Sequence, residues 1–177
     1  MGQFAVSAIG RDQPGIVAAI TAGLLAVDGN VEDSRMTILG GHFAVMLLVS
    51  TGTGSDREAV ETALNGAREQ LRLEALSVSE VGSAGEMHPA PDHVITVYGS
   101  DHPGIVHSIA AELAAAGVNI TDLQTRLAGA EGSPIYVMSA EIELGELAVD
   151  EIRQRLQAVG ERTSVEVELH ALDSDAL

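Results

Sequence analysis

The chain has 177 residues, 46% of them hydrophobic, with 9 Lys+Arg against 26 Asp+Glu for a formal net charge of −17. That length holds one medium domain or two small ones, and the acidic surplus excludes direct nucleic-acid binding and disfavours anionic membranes, since both need a basic surface. The absence of cysteine removes disulfides, thiolate nucleophiles and Cys-based metal sites, and a 2% aromatic content without Trp leaves no stacking platform for single strands.

Taken from the start, Met1-Gly2-Gln3-Phe4 shows no basic region followed by a long apolar run. No apolar stretch reaches the ~18 to 20 residues of a bilayer-spanning helix, so a cytoplasmic location is expected. Residues 3 to 9 are apolar and β-branched up to Gly10, which predicts a strand. Ile16, Ile20, Leu24 and Val27 form one helical stripe. Pro14 suits the first turn of that helix, and Asp28-Gly29 ends it. Strands are predicted at about 31 to 39 and 43 to 50, as a hairpin. Val60, Ala63, Leu64, Ala67 and Leu71 mark a second helix, with Ser55 and Asp56 as capping candidates. Residues 83 to 92, rich in Gly, Ser, Ala and Pro, read as a linker between domains spanning 1–82 and 93–177.

Beyond the linker the order repeats. A strand at 93 to 98 ends at Gly99, and a helix carries Ile105, Ile109, Leu113 and Ala116 before Gly117. Strands follow at about 120 to 128 and 134 to 142, then a helix with Val149, Ile152, Leu156 and Val159. A last strand alternates Thr163, Val165, Val167 and Leu169 with Ser164, Glu166, Glu168 and His170. The acidic stretch from Glu141 to Glu151 reads as a solvated strand end and helix start.

The repetition is residue by residue. Gly10-Arg11-Asp12-Gln13-Pro14-Gly15-Ile16-Val17 recurs as Gly99-Ser100-Asp101-His102-Pro103-Gly104-Ile105-Val106, an offset of 89 that holds without a gap to Gly40 and Gly129. A short insertion, Ala130-Glu131-Gly132, then aligns Val45-Met46 with Val137-Met138. Each copy is therefore βαββαβ, the α+β ferredoxin-like arrangement of an antiparallel sheet with both helices on one face. A copy this small gains by packing against its twin or a second chain, so domain pairing or a homodimer is expected.

A strand, then D-x-P-G-I-V opening a helix, then G-x-N-(I/V)-x-D entering the second strand resembles the ACT domain of amino-acid-responsive regulators. Two such domains in tandem resemble the stand-alone double-ACT regulators of glycine cleavage. Ala116-Gly117-Val118-Asn119-Ile120 follows the usual turn, whereas Val27-Asp28-Gly29-Asn30-Val31 departs from it. The resemblance implies a non-catalytic protein that senses a small amino acid, glycine or serine, and modulates a protein partner such as a DNA-binding regulator. It also implies that Asn30 and Asn119 lie at a domain interface. The alternative is a ligand-free module that assembles with an enzyme or regulator.

The residues support a zwitterion site on their own chemistry. Free N–H groups near Gly15, Ile16 and Val17, and near Gly104, Ile105 and Val106, can hold a carboxylate, favoured by the helix dipole. Asn30 and Asn119 both donate and accept, while Asp12, Asp33, Asp101 and Asp122 can balance an ammonium. Pro14, Pro103 and His102 complete the two loops. Structural roles compete at each position. Asp12 and Asp101 suit helix caps, Gly15 and Gly104 close packing, and Asn30 and Asn119 left-handed backbone after a helix. His102 and His107 are five apart, outside the i, i+4 spacing of a helical metal pair, and His88 and His93 straddle the linker, so no metal site is expected. No cofactor or catalysis is expected either, since the chain lacks a nucleophile elbow, a phosphate loop and any Lys, and Ser108 beside His107 lacks a third partner.

Overall fold

Phe4, Val6 and Ala8 alternate with Ala5, Ser7 and Ile9, and in a computed structural model this alternation turns the first set into the core of a strand, β1 (Gln3–Arg11). The structure describes residues 2–82, 90–129 and 134–172, and the chain divides into two units between residues 87 and 88. After β1, the first unit continues through α1 (Ile16–Leu25), β2 (Asn30–Leu39), β3 (His42–Ser50), α2 (Arg57–Leu71) and β4 (Ala75–Glu80). The second repeats this order as β5 (His93–Gly99), α3 (Ile105–Ala115), β6 (Asn119–Ala128), β7 (Ile135–Glu143), α4 (Val149–Thr163) and β8 (Val165–Ala171). Most of the linker segment, with His88, and the insertion Ala130-Glu131-Gly132 lie outside the described residues.

Each unit is one four-stranded antiparallel sheet, ordered β2-β3-β1-β4 or β6-β7-β5-β8. The helices cover one face. Ile16, Ile20 and Leu24 of α1 and Val60, Leu64 and Leu71 of α2 close over Val6, Phe43, Val45 and Val49. Ile105, Ile109, Leu113, Ile152, Leu156 and Val159 do the same over Ile95, Val97, Met138 and Ile142. Each fully buried aliphatic side chain contributes about 1.5–3 kcal/mol, and the two cores are separate clusters. Residues such as Ile9 and Met46 stand on the opposite face and are exposed.

Several expectations shift by a residue or two. Helix α1 begins at Ile16, with Gly15 as its cap, and α3 begins at Ile105, with Gly104 as its cap. Pro14 and Pro103 therefore precede the caps instead of opening the first turn. Asp56 caps α2, its Oδ1 accepting from the Ala59 N–H at 2.9 Å. Thr163 ends α4 and Ser164, at φ 54°, is its left-handed C-cap, so the last strand starts at Val165. The alternation misled there because Thr163 and Ser164 continue a period of two by coincidence, while a helix must end in a conformation that stops it. Register corrects the repeat as well. Gly10 pairs with Phe43 and Gly99 with Tyr136, so Val45 is the counterpart of Met138 rather than of Val137. Alignment by like residues slipped one place, which would have turned core positions to the other face.

The departing turn of the first copy keeps the geometry of the second. Asp28, at φ 51°, occupies the place of Gly117, at φ 73°. Aspartate is one of the few side chains that tolerate this left-handed region.

Candidate functional site

The loops joining β1 to α1 and β5 to α3 carry the first group of candidate residues. Asp12, Pro14 and Gly15, and Asp101, Pro103 and Gly104, are exposed, whereas Ile16 and Ile105 are buried and anchor the helix starts. Gly15 has φ 93° and Gly104 φ 102°, and a Cβ at either would meet nothing within 4 Å. Close packing is therefore not the reason for glycine here. The requirement is the positive φ, which an L side chain resists.

Neither helix has a side-chain cap hydrogen bond. The expectation that Asp12 and Asp101 cap them is overturned, because the backbone turns at glycine and sets each aspartate too far back to reach the helical N–H groups. The first intrahelical bonds run from Ala19 N–H to the Gly15 carbonyl and from Ser108 N–H to the Gly104 carbonyl, both 2.9 Å. The N–H groups of Ile16, Val17 and Ala18, and of Ile105, Val106 and His107, thus project from the helix ends, where the dipole favours an anion.

The loops are fixed by neighbours at the same end of the sheet. Asp12 N–H donates to the Gly41 carbonyl at 3.0 Å in the β2–β3 turn. Gln13 Nε2 donates to the carbonyl of Leu71, the last residue of α2, at 3.0 Å. His102 takes the place of Gln13 in the second unit. Its Nε2 lies 2.7 Å from the carbonyl of Thr163, the last residue of α4, and its Nδ1 lies 3.1 Å from the Pro103 carbonyl. These carbonyls, Pro103 first and then Thr163, raise the imidazole above its ordinary value of 6.5, with Asp101 adding to the effect. Gln13 was missed as a candidate. The signal was its alignment with His102, two polar side chains of different chemistry in one repeat position.

The remaining candidates lie elsewhere. Asn30 opens β2 opposite Ser50, whereas the loop leaves β1 beside the Arg11–His42 pair. Asn119 likewise opens β6 opposite Glu143, away from the Gly99–Tyr136 pair. At about 3.3 Å per residue, the length of β3 separates the two ends by roughly 25 Å. Within a unit, then, the asparagine does not meet the loop. Both asparagines are extended, and the left-handed residues after the helices are Asp28 and Gly117 instead. Asp33 and Asp122 each follow a bulge, on the sheet face away from the helices. Asp33 Oδ1 accepts from the Ser34 N–H at 2.7 Å, and Asp122 Oδ2 from Gln124 Nε2 at 3.1 Å.

Among the described residues no group of three or more His, Asp or Glu is placed to hold a metal ion. Among them also, no helix is long and apolar enough to cross a membrane.

Comparison with known proteins agrees with this architecture. ACT-domain family models match residues 3–76 and 93–161. The chain is 33% identical over 129 residues to the glycine cleavage system transcriptional repressor of Escherichia coli, a match covering 71% of this chain and 65% of that protein. It thus spans just under two thirds of that relative's length. The crystal structure of a protein from Galdieria sulphuraria superposes with a TM-score of 0.83 at 29% identity, covering 97% of this chain and 99% of that one. A solved structure bearing the name glycine cleavage system transcriptional repressor shares the fold, with a TM-score of 0.73 at 19% identity over 98% of both chains. With both units matched and the βαββαβ order found twice, the chain belongs to the ACT-domain family, as two ACT domains in tandem.

Proposed function

We propose that this protein is a non-catalytic regulator that binds a small amino acid, glycine or serine, and changes its contacts with a protein partner when it does so. The observation that carries this reading is the loop built twice. In both units a left-handed glycine with open space above it leaves helix-end N–H groups without a side-chain cap, and an exposed aspartate stands three residues earlier in the same loop. The N–H groups suit an α-carboxylate and the aspartate an ammonium. A small zwitterion offers both within a few ångströms. The kinship with the repressor named above favours glycine as ligand and a transcriptional regulator of glycine cleavage as the system controlled. The net charge of −17 fits an indirect route, since it repels DNA and suits a basic protein surface.

Because loop and asparagine stand at opposite ends of each unit, whether both act on one ligand is read from the coupling between them. A double-mutant cycle tests this. Ligand-induced thermal stabilisation is measured for Asp12→Ala, Asn119→Ala and the double variant, and for the pairing of Asp101 with Asn30. At a hundredfold excess over Kd, one bound ligand adds ~2.7 kcal/mol. Strong non-additivity within a pair supports a shared site. Stabilisation by no common amino acid refutes the sensor reading.

A second reading is a ligand-free assembly module, favoured by strand β2. This edge strand is exposed along nearly its whole length and presents Met36, Ile38 and Leu39 to solvent. Partner capture that is indifferent to every amino acid supports that alternative.

A further inference from the structure

Both loops are held by one side chain reaching across to the end of the second helix, and the two units use different chemistry for it. Gln13 donates from its amide to the Leu71 carbonyl at 3.0 Å. His102, at the equivalent position, faces two acceptors, the Thr163 carbonyl at 2.7 Å and the Pro103 carbonyl at 3.1 Å. A carbonyl cannot donate. A neutral imidazole has one N–H, so it bonds one of these oxygens and turns a lone pair toward the other, whereas the imidazolium donates to both.

We infer that His102 is a protonation-dependent clasp that positions the Asp101–Gly104 loop of the second unit against the end of α4, while Gln13 clasps the first unit's loop at all pH values. The clasp is distinct from ligand contact, because both ring nitrogens of the charged form are spent on backbone oxygens. The helix end strengthens it. Thr163 is the last residue of α4, where unpaired carbonyls concentrate partial negative charge. Among neighbouring charges, Asp101 lies in the loop itself and favours the imidazolium. The α4 end carries Glu161 and Arg162, β8 carries Glu166, α3 carries His107 and Glu112, and β7 carries Tyr136. Arg162 is turned toward Glu112, at 3.9 Å.

The direction follows from linkage. The folded form holds the proton more tightly than the unfolded chain does. The doubly bonded clasp is thus fully present below pH 6.5 and gives way to a single bond as pH rises through the raised folded value. The second loop should be tight in mildly acidic solution and looser above neutrality, while the first does not change. That this matters for amino-acid capture rests on the reading proposed above, but the clasp itself is tested without ligand.

The experiment is a proton–nitrogen NMR titration of the full chain from pH 5 to 9, following the His102 ring and the amides of Gly104, Ile105, Gly15 and Ile16. We expect the ring to titrate above 6.5, the Gly104 and Ile105 amides to follow the same midpoint, and Gly15 and Ile16 to show no such transition. His102→Gln should abolish the transition while keeping the low-pH positions of the loop amides, by making the second clasp like the first. His102→Ala should leave the amides displaced at every pH. A ring midpoint at or below 6.5, loop amides that do not titrate with it, or a Gln variant as displaced as the Ala variant would overturn the inference. Failure to bind any amino acid with this titration intact would refute the sensor and leave the clasp standing.

Discussion

The glycines at the two helix starts make opposite demands from a glycine inside a helix, and alanine substitution reads that difference as a sign. Gly15 sits at φ 93° with nothing within 4 Å of where a Cβ would stand, so Gly15→Ala meets no clash and its whole cost is backbone strain, about 1–2 kcal/mol. Gly66 lies in the interior of α2, exposed, without a positive φ and with the same open space. There alanine restricts the unfolded chain and suits the helix, so Gly66→Ala should stabilise by about 0.5–1 kcal/mol. The two variants, in the same unit, should therefore differ by about 1.5–3 kcal/mol. For a domain this size, Gly15→Ala should lower Tm by roughly 5–10 °C and Gly66→Ala raise it by a few degrees. Calorimetry measures both, and urea midpoints give the free energies. Gly15→Asn should cost less than Gly15→Ala, since asparagine visits the left-handed region more readily. If Gly15→Ala is neutral or stabilising, the left-handed start of α1 is wrong, and with it the outward-facing N–H groups on which the ligand reading stands.

Three further outcomes follow from local geometry. A Cβ on Gly23 would come within 2.8 Å of the Ala63 backbone carbonyl, so Gly23→Ala should cost about 1–3 kcal/mol by forcing α1 from α2, as urea unfolding would register. Asp56→Ala removes the side-chain cap of α2 and should cost about 1 kcal/mol in the same assay, with Asp56→Asn losing much less. Burial pushes the Asp92 carboxyl up, but the N–H groups of Leu144 and Gly145 and the His93 ring outweigh it and hold the group below its usual 3.8. Asp92 therefore contributes stability above pH 3.8 that is lost as pH falls through the lowered folded value. The acid limb of a Tm-versus-pH curve should be shallower in Asp92→Asn.

Much of the fold was legible because apolar spacing reports directly which face of an element leaves water. Ile16, Ile20 and Leu24, and their partners 89 residues on, are buried as their period of four implies. The repeat made the reading firmer, since two copies of one pattern must solve the same packing problem. What failed were signals that backbone conformation decides. Asp12 and Asp101 looked like caps because their residue type favours that role, yet the left-handed glycine moves the helix start beyond their reach. Thr163 and Ser164 extended an alternation that the C-cap of α4 interrupts.

Element order, the duplication, the buried faces and the acidic character can be read along the chain, because these depend on local period and composition. What stands beside what is set by strand pairing and helix packing. Antiparallel pairing carries Asn30 and Asn119 to the end of the sheet opposite the glycine loops, a separation that one-dimensional spacing hides. The same topology returns the last residue of α2 and of α4 to the loop end, where Gln13 and His102 meet carbonyls 58 and 61 residues away in sequence. Contacts over such distances follow from strand direction and helix length together, and no single segment of the chain encodes them.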